Sequence, residues 1–420
     1  MGFLMKTRIL KNSGIAWIGE IPKHWEVKKA KYLFKNKKEI VGTRAEFTDR
    51  LALTLNGVVK RSKDDNEGLQ PKKFESYQTL RKNNLVFKLI DLENISTSRV
   101  GISNFDLGIV SPAYIVLQRK ENNKFFYYFF MSMYYGCVFN FLGGQGVRSS
   151  LNVSDLLNLY LPVPPLNEQE RIAEFLDKKC ASIDSSIENL EQKTKSLAQY
   201  KKALITQCVT KGLNPKILEF KDSEIPWIRQ IPKHWEISKI KYVAKIRSEN
   251  SSFNAENDKY IGLENVAGYL NSLIETNTEY ENSIQAVCKK GDILFGKLRP
   301  YLSKVIIAPF NCFCSSEFLQ FINLKCYFKF FYYFLLNKNF IENVNSSTYG
   351  AKMPRANSNY IMNLNFLVPP LNEQKEIAEF LDNKCEKIDR LNENYTKQIA
   401  TLKEYKKSLI YECVTGKKEI

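Results

Sequence analysis

Few residues of this 420-residue chain have the type and spacing that chemistry demands. Gly291-Asp-Ile-Leu-Phe-Gly-Lys297-Leu298 carries the glycine and lysine spacing of a phosphate-binding P-loop. It lacks the Ser/Thr that would hold Mg²⁺, and Ile293-Leu-Phe295 are strand formers where a phosphate cradle needs pliant backbone. Gly143-Gly-Gln-Gly146 is too short for a dinucleotide fingerprint. Base methylation calls for Asn/Asp-Pro-Pro-aromatic, and Val163-Pro-Pro-Leu166 and Val368-Pro-Pro-Leu371 lack both the polar residue and the aromatic. His24 and His234 have the chemistry of general bases, but each sits in a Trp-flanked turn that suits packing. Cys312-Phe-Cys314, with Cys288 and Cys326 at a distance and no His nearby, is not a zinc pattern. The nine cysteines lack the density of a disulfide framework and read as buried thiols in a reducing cytoplasm. The sequence therefore predicts no catalytic residue and no metal.

Two polar, basic loops carry a different chemistry. They are Gly143-Gly-Gln145-Gly-Val-Arg148-Ser149-Ser150 and Ser347-Thr-Tyr-Gly-Ala-Lys352-Met-Pro-Arg355. Glycine lets backbone approach a duplex closely, arginine offers a bidentate fork for guanine or phosphate, and hydroxyls and backbone N–H groups add phosphate bonds. Lys297 and Arg299, and Lys60 with Arg61, are further basic candidates for DNA contact.

These loops are positioned by a long internal repeat. Trp17-Ile-Gly-Glu-Ile-Pro-Lys-His-Trp25 returns as Trp227-Ile-Arg-Gln-Ile-Pro-Lys-His-Trp235, and the two segments hold both histidines and all four tryptophans. Lys124-Phe-Phe-Tyr-Tyr-Phe129 returns as Lys329-Phe-Phe-Tyr-Tyr-Phe334. Pro165-Leu-Asn-Glu-Gln169 and Ala173-Glu-Phe-Leu-Asp177 return as Pro370-Leu-Asn-Glu-Gln374 and Ala378-Glu-Phe-Leu-Asp382. Similar ends thus frame dissimilar middles, whose short strand-like runs and aromatic helices read as mixed α+β. The expected division is a first module over 1–163, a central helix over 164–212, a second module over 213–368 and a distal helix over 369–420.

After each proline pair, apolar residues fall seven apart: Leu176, Ile183, Leu190, Leu197 and Leu204, then Leu381, Ile388, Tyr395, Leu402 and Leu409. A flanking line completes the 4–3 spacing of a coiled-coil seam, with Thr194 and Asn392 as polar interruptions. Asn167 and Asn372 are expected to cap these helices, with Glu170 completing a capping box in the first copy, and Gly212 and Gly416 to end them. A helix over 168–210 would be about 65 Å long at 1.5 Å per residue.

The net charge of +17 is unevenly placed. Residues 1–150 hold 25 basic and 13 acidic side chains and residues 211–360 hold 20 and 14, whereas 151–210 hold 7 and 8 and 361–420 hold 10 and 10. The surplus lies in the modules, as expected of two DNA-contacting bodies joined by helices that need not touch phosphate. Phe125 to Phe141 is free of charge, but Asn140, Ser132 and tyrosines interrupt it, so it reads as a buried aromatic helix. Met1–Lys11 has no secretory pattern, and no membrane association is expected.

Taken together, the Glu-Ile-Pro-Lys-His-Trp opening, Gly291-Asp-Ile-Leu-Phe-Gly-Lys-Leu-Arg-Pro300, the module-ending loops and the twice-present Pro-Leu-Asn-Glu-Gln helix resemble the DNA-specificity subunits of type I restriction–modification enzymes. The resemblance implies an α+β chain with a pseudo-twofold repeat. Two target recognition domains would each read half of a split double-stranded DNA sequence. The two long helices would pack as an antiparallel coiled coil, set the gap and dock methylation subunits, expected to be two, with restriction subunits joining through the complex. It implies a cytoplasmic, non-catalytic chain without a cofactor of its own, whose partners use S-adenosylmethionine, ATP and Mg²⁺. The rival from another class is a stand-alone DNA methyltransferase or nuclease with an unfamiliar active site.

Overall fold

The computed structural model describes residues 9–55, 57–65, 73–90, 92, 99–142, 150–215, 217–350 and 352–420. The chain divides into two compact units, Met1–Asn189 with Gln398–Ile420, and Leu190–Lys397. The duplicated segments form two long helices, Leu166–Lys211 and Leu371–Val414. Neither contains Pro or Gly, so nothing interrupts the hydrogen-bond ladder of either. Each helix gives its first half to one unit and its second half to the other.

In the first unit, Ile172, Leu176, Cys180, Ile183 and Ile187 share a core with Leu409, Ile410, Cys413 and Val414. Lys406 Nζ lies 2.7 and 2.6 Å from the two Asp184 carboxylate oxygens. In the second unit, Ile205, Cys208 and Val209 share a core with Ile377, Ala378, Leu381 and Cys385. Lys201 Nζ donates to both Asp389 oxygens at 2.7 Å. Cys180 faces Cys413 while Asp184 meets Lys406, and Cys208 faces Cys385 while Lys201 meets Asp389. Numbers rise along one helix as they fall along the other, so the paired segments in each unit are antiparallel. Of the heptad positions, Leu176, Ile183, Leu381, Ile388 and Leu409 are buried, and Leu190, Leu197, Leu204, Tyr395 and Leu402 are half-buried. Thr194 Oγ1 and Asn392 Oδ1 are buried without a partner among the described residues.

The helix starts differ from the sequence expectation. Both helices begin two residues early, at Leu166 and Leu371, so Asn167 and Asn372 lie inside the first turn and cap nothing. The carbonyls of Pro165 and Pro370 accept from the first turn instead, and the glutamines brace the carbonyls before them. The Glu168 and Gln169 amides donate to Pro165 O at 2.9 and 3.0 Å, and the Gln374 amide donates to Pro370 O at 3.0 Å. The side chains of Gln169 and Gln374 turn back to donate to Pro164 O and Pro369 O at 2.7 and 2.8 Å. Gly212 and Gly416 end the helices in the left-handed region, both at φ +73°.

Each unit repeats one frame around a different middle. Glu26–Lys29 pairs antiparallel with Tyr160–Val163, and Glu236–Lys239 does the same with Asn365–Val368. The first middle carries a three-stranded sheet of Leu85–Phe87 between Ile115–Leu117 and Val100–Ile102. The second carries two four-stranded sheets, one centred on Phe318–Ile322 and Ile293–Gly296, the other on Ser283–Cys288 and Cys312–Cys314. The aromatic helices are Lys124–Tyr135 and Phe328–Leu335. The charge-free run breaks at Cys137, where φ is +54°, and resumes as Val138–Leu142. No helix of the described residues is long and apolar enough to cross a membrane.

Candidate nucleic-acid interface

The repeated motifs meet one another in space. His234 Nε2 lies 2.8 Å from Glu373 Oε2, which also accepts from Trp235 Nε1 at 3.0 Å. In the first unit His24 Nε2 lies 2.7 Å from Glu168 Oε2. Lys329 Nζ and Tyr333 OH donate to the two oxygens of Asp382 at 2.6 and 2.7 Å. Lys124 donates to Asp177 likewise, and Tyr128 OH reaches Asp177 Oδ1 at 2.8 Å. The Tyr327 amide donates to Gln374 Oε1 at 2.7 Å. Glu168, Glu373, Asp177 and Asp382 therefore each clamp one repeated segment onto the helix. The histidines are bound into this clamp beside a buried tryptophan, which explains their duplication without catalysis.

The other chemistry-bearing segments are structural in the same way. Ile293–Gly296, inside the P-loop look-alike, is a buried strand between Val305–Ile307 and Phe318–Ile322. Asp292 is held by Arg247 in a two-pronged pair at 2.8 and 3.0 Å, leaving no phosphate cradle. Cys288 and Cys312 are register partners in a buried core that also holds Cys314. Burial pushes the Cys180 and Cys385 thiols up to about 11 and those of Cys208 and Cys413 up to about 12, so they stay protonated at neutral pH. Among the described residues no group of three or more His, Cys, Asp or Glu has the arrangement of a metal site.

In the second unit, the two basic candidates far apart in sequence come together. The loop after the buried strand Ile293–Gly296 and the loop before the second long helix are laced by backbone. Arg299 N donates to Pro354 O at 2.7 Å and Ala356 N to Lys297 O at 3.0 Å, with Leu298 and Arg355 bridged. Tyr349 and Arg355 exchange backbone bonds at 3.4 and 3.1 Å, closing the second loop. Gly350, at φ +95°, makes that closure possible, since a Cβ there would meet Met353 O at 3.1 Å. Arg299 itself adopts φ +50°, and its Nε is buried without a partner among the described residues. Lys352 is exposed, and Arg355 pairs with Glu317, whose backbone carbonyl accepts from Lys297 N at 2.9 Å. Lys297, Arg299, Lys352 and Arg355 thus share one braced patch with a single carboxylate partner, Glu317, among the described residues. Such a patch can hold phosphates by charge and read base edges by arginine forks.

The first unit shows less of its counterpart. Gln145, Arg148 and Ser149 lie outside the described residues. Lys60 Nζ is 2.6 Å from Asp49 Oδ2, and Arg61 Nε donates to Asp65 Oδ2 at 2.5 Å. Sequence reasoning missed the clamp residues Glu168, Glu373, Asp177 and Asp382 and the interhelical pairs Lys201–Asp389 and Lys406–Asp184. The signal was present, because each has an identical residue 205 positions away in the other copy.

The chain is thus a pair of mixed α+β modules with two long helices. Residues 22–198 and 232–401 match the type I restriction modification DNA specificity domain, and the chain belongs to that family. It is similar to the type I restriction enzyme EcoDI specificity subunit of Escherichia coli, with 24% identity over 283 residues, covering 62% of this chain and 63% of that one. It is also similar to the MjaVIII specificity subunit of Methanocaldococcus jannaschii, with 28% identity over 277 residues, covering 62% of each. The chain therefore spans under two thirds of the length of these relatives. Among solved structures, a chain described under "Structural basis underlying complex assembly and conformational transition of the type I R-M system" shares the fold. Its TM-score is 0.69 at 14% identity, over 94% of this chain and 99% of that one.

Proposed function

We propose that this chain is the sequence-specific DNA-binding subunit of a type I restriction–modification complex. Its modules, 1–163 and 213–368, each bind one half of a bipartite double-stranded target. The helical segments 164–212 and 369–420 fix the gap between half-sites and offer docking faces to two methylation subunits, through which restriction subunits join. The chain has no catalytic role of its own and works in the cytoplasm. S-adenosylmethionine, ATP and Mg²⁺ serve the partner subunits.

The observation that carries this reading is the convergence of Lys297, Arg299, Lys352 and Arg355 on one braced pair of loops, in a module with a surplus of positive charge. Gln145, Arg148, Ser149, Lys60 and Arg61 are assigned the matching task in the first module. Lys60 and Arg61 reach DNA only by exchanging Asp49 and Asp65 for phosphate, which ranks them below the second-module patch.

The test uses a duplex selected from a random library by the purified full chain. Its affinity is expected to fall steeply with salt through counterion release, and methyl transfer from S-adenosylmethionine is expected only after a methylation subunit is added. Salt-independent affinity would overturn DNA contact through this patch. Methyl transfer or cleavage by the lone chain would favour a self-sufficient enzyme. Inserting one helical turn, about four residues, beside Leu197 is expected to change the permitted gap, and an unchanged gap would refute the spacer role.

A further inference from the structure

The braced loop pair holds a feature that phosphate binding does not use. Met353 and Tyr349 are each 62% exposed, and nothing in the described chain covers them. Met353 sits between Lys352 and Pro354, on a loop whose two ends are tied. Tyr349 and Arg355 close it, and Pro354 O accepts from Arg299 N at 2.7 Å. Singly exposed apolar side chains are common on this chain, so what distinguishes Met353 is its place among four cations. Here an apolar side chain projects from the middle of a cationic patch, on backbone held by hydrogen bonds from the loop that follows a buried strand.

A polyanion with an apolar interior fits both properties at once. The cations draw in and position phosphates, and an unbranched apolar side chain followed by proline can slide between stacked bases. Partial unstacking by Met, Pro, Leu or Phe wedges costs stacking energy, which neighbouring backbone contacts offset. Pyrimidine–purine steps open most readily, so a wedge also reads deformability at a step it need not hydrogen-bond. Met353 has three rotatable side-chain bonds and a polarizable sulfur, which let it follow the shape of an opened step.

We propose that Met353 is a wedge that enters a base step of duplex DNA in the half-site bound by the second module, with Lys297, Arg299, Lys352 and Arg355 holding the flanking phosphates. Met353 then sets specificity by shape at that step. The proposal rests on the reading of this chain as a DNA-binding subunit.

The test places 2-aminopurine, whose fluorescence rises on unstacking, at successive adenine positions of the library-selected duplex and adds the purified full chain. One position in the second half-site is expected to brighten on binding. In Met353→Ala the brightening is lost while the salt dependence of affinity is unchanged, and in Met353→Leu it returns. In Lys352→Ala the brightening remains and the salt dependence weakens. Since Met353 is exposed, its replacement leaves the core intact, and circular dichroism checks this. A duplex that binds without brightening anywhere, or a Met353→Ala chain that brightens it as the wild type does, overturns the wedge and leaves DNA binding standing. A wild-type chain that selects no duplex overturns the wedge together with the reading beneath it.

Discussion

Replacing Asp389 by alanine should destabilise the second unit far more than replacing Asp184 destabilises the first, although the two residues are equivalent by sequence. Lys201 is only 7% exposed and its ammonium lies 2.7 Å from Asp389 and donates to Tyr269 O at 2.7 Å. At an effective dielectric near 20, unit charges at that distance attract by about 6 kcal/mol before desolvation is subtracted. Without Asp389 the ammonium stays buried beside one carbonyl. The cost should be about 3 kcal/mol, the low end for breaking a buried pair because Asp389 itself is 35% exposed. Lys406 and Asp184 are 21% and 56% exposed, so water screens that pair and Asp184→Ala should cost about 1 kcal/mol or less. Replacing Lys201 by Met together with Asp389 by Leu should recover most of the loss, because no charge is then left buried. The assay is urea unfolding followed by tryptophan fluorescence. Trp17 and Trp25 belong to the first unit and Trp227 and Trp235 to the second, so Trp→Phe replacements at one pair report the other unit alone. Equal losses from Asp389→Ala and Asp184→Ala would refute the burial argument.

The helix ends make a second contrast. Both Gly212→Ala and Gly416→Ala force a side chain into the left-handed region, at about 1 kcal/mol each. At Gly416 the added Cβ also meets Pro22 at 2.4 Å and Trp25 at 3.1 Å, whereas at Gly212 the nearest atom is Glu373 Oε1 at 3.2 Å. Gly416→Ala should therefore be the more damaging in thermal unfolding, by about 1–2 kcal/mol of overpacking. Thiol labelling gives another prediction. Cys137 is exposed and should alkylate first, while Cys180, Cys208, Cys385 and Cys413 should react only on unfolding, as peptide mass spectrometry can follow. With thiols pushed up to about 11 or 12, raising pH from 7 to 9 should increase their labelling far less than unfolding does. Finally, Lys352→Ala should lower the slope of log affinity against log salt by about one, equally for every duplex sequence.

The frame of the fold was legible because it is written twice. Proline pairs, heptads and terminal glycines each make a local demand, and two copies separate demand from accident. The exact helix starts were less so. Asparagine before an amphipathic run is a strong cap signal, but Pro165 and Pro370 already fix the entry, and glutamine side chains satisfy the preceding carbonyls instead. The task of His24 and His234 could not be read from their own segments, since Glu168 and Glu373 lie about 140 residues away and only folding joins them. The candidate interface was half-visible. Its basic residues stood out one by one, but the convergence of 297–299 with 352–355 depends on strand pairing between divergent segments, where local pattern fixes no register. Met353 lay inside the basic loop the sequence marked for DNA contact, but nothing in its own type or spacing set it apart from its charged neighbours.

The most direct test of the account exchanges residues 15–160 for the corresponding module of another member of the family, and maps methylated adenines in cells that also express the methylation and restriction subunits. If each module reads its own half-site, one half of the split target changes while the other half and the gap persist. A change in both halves, or in neither, would contradict it.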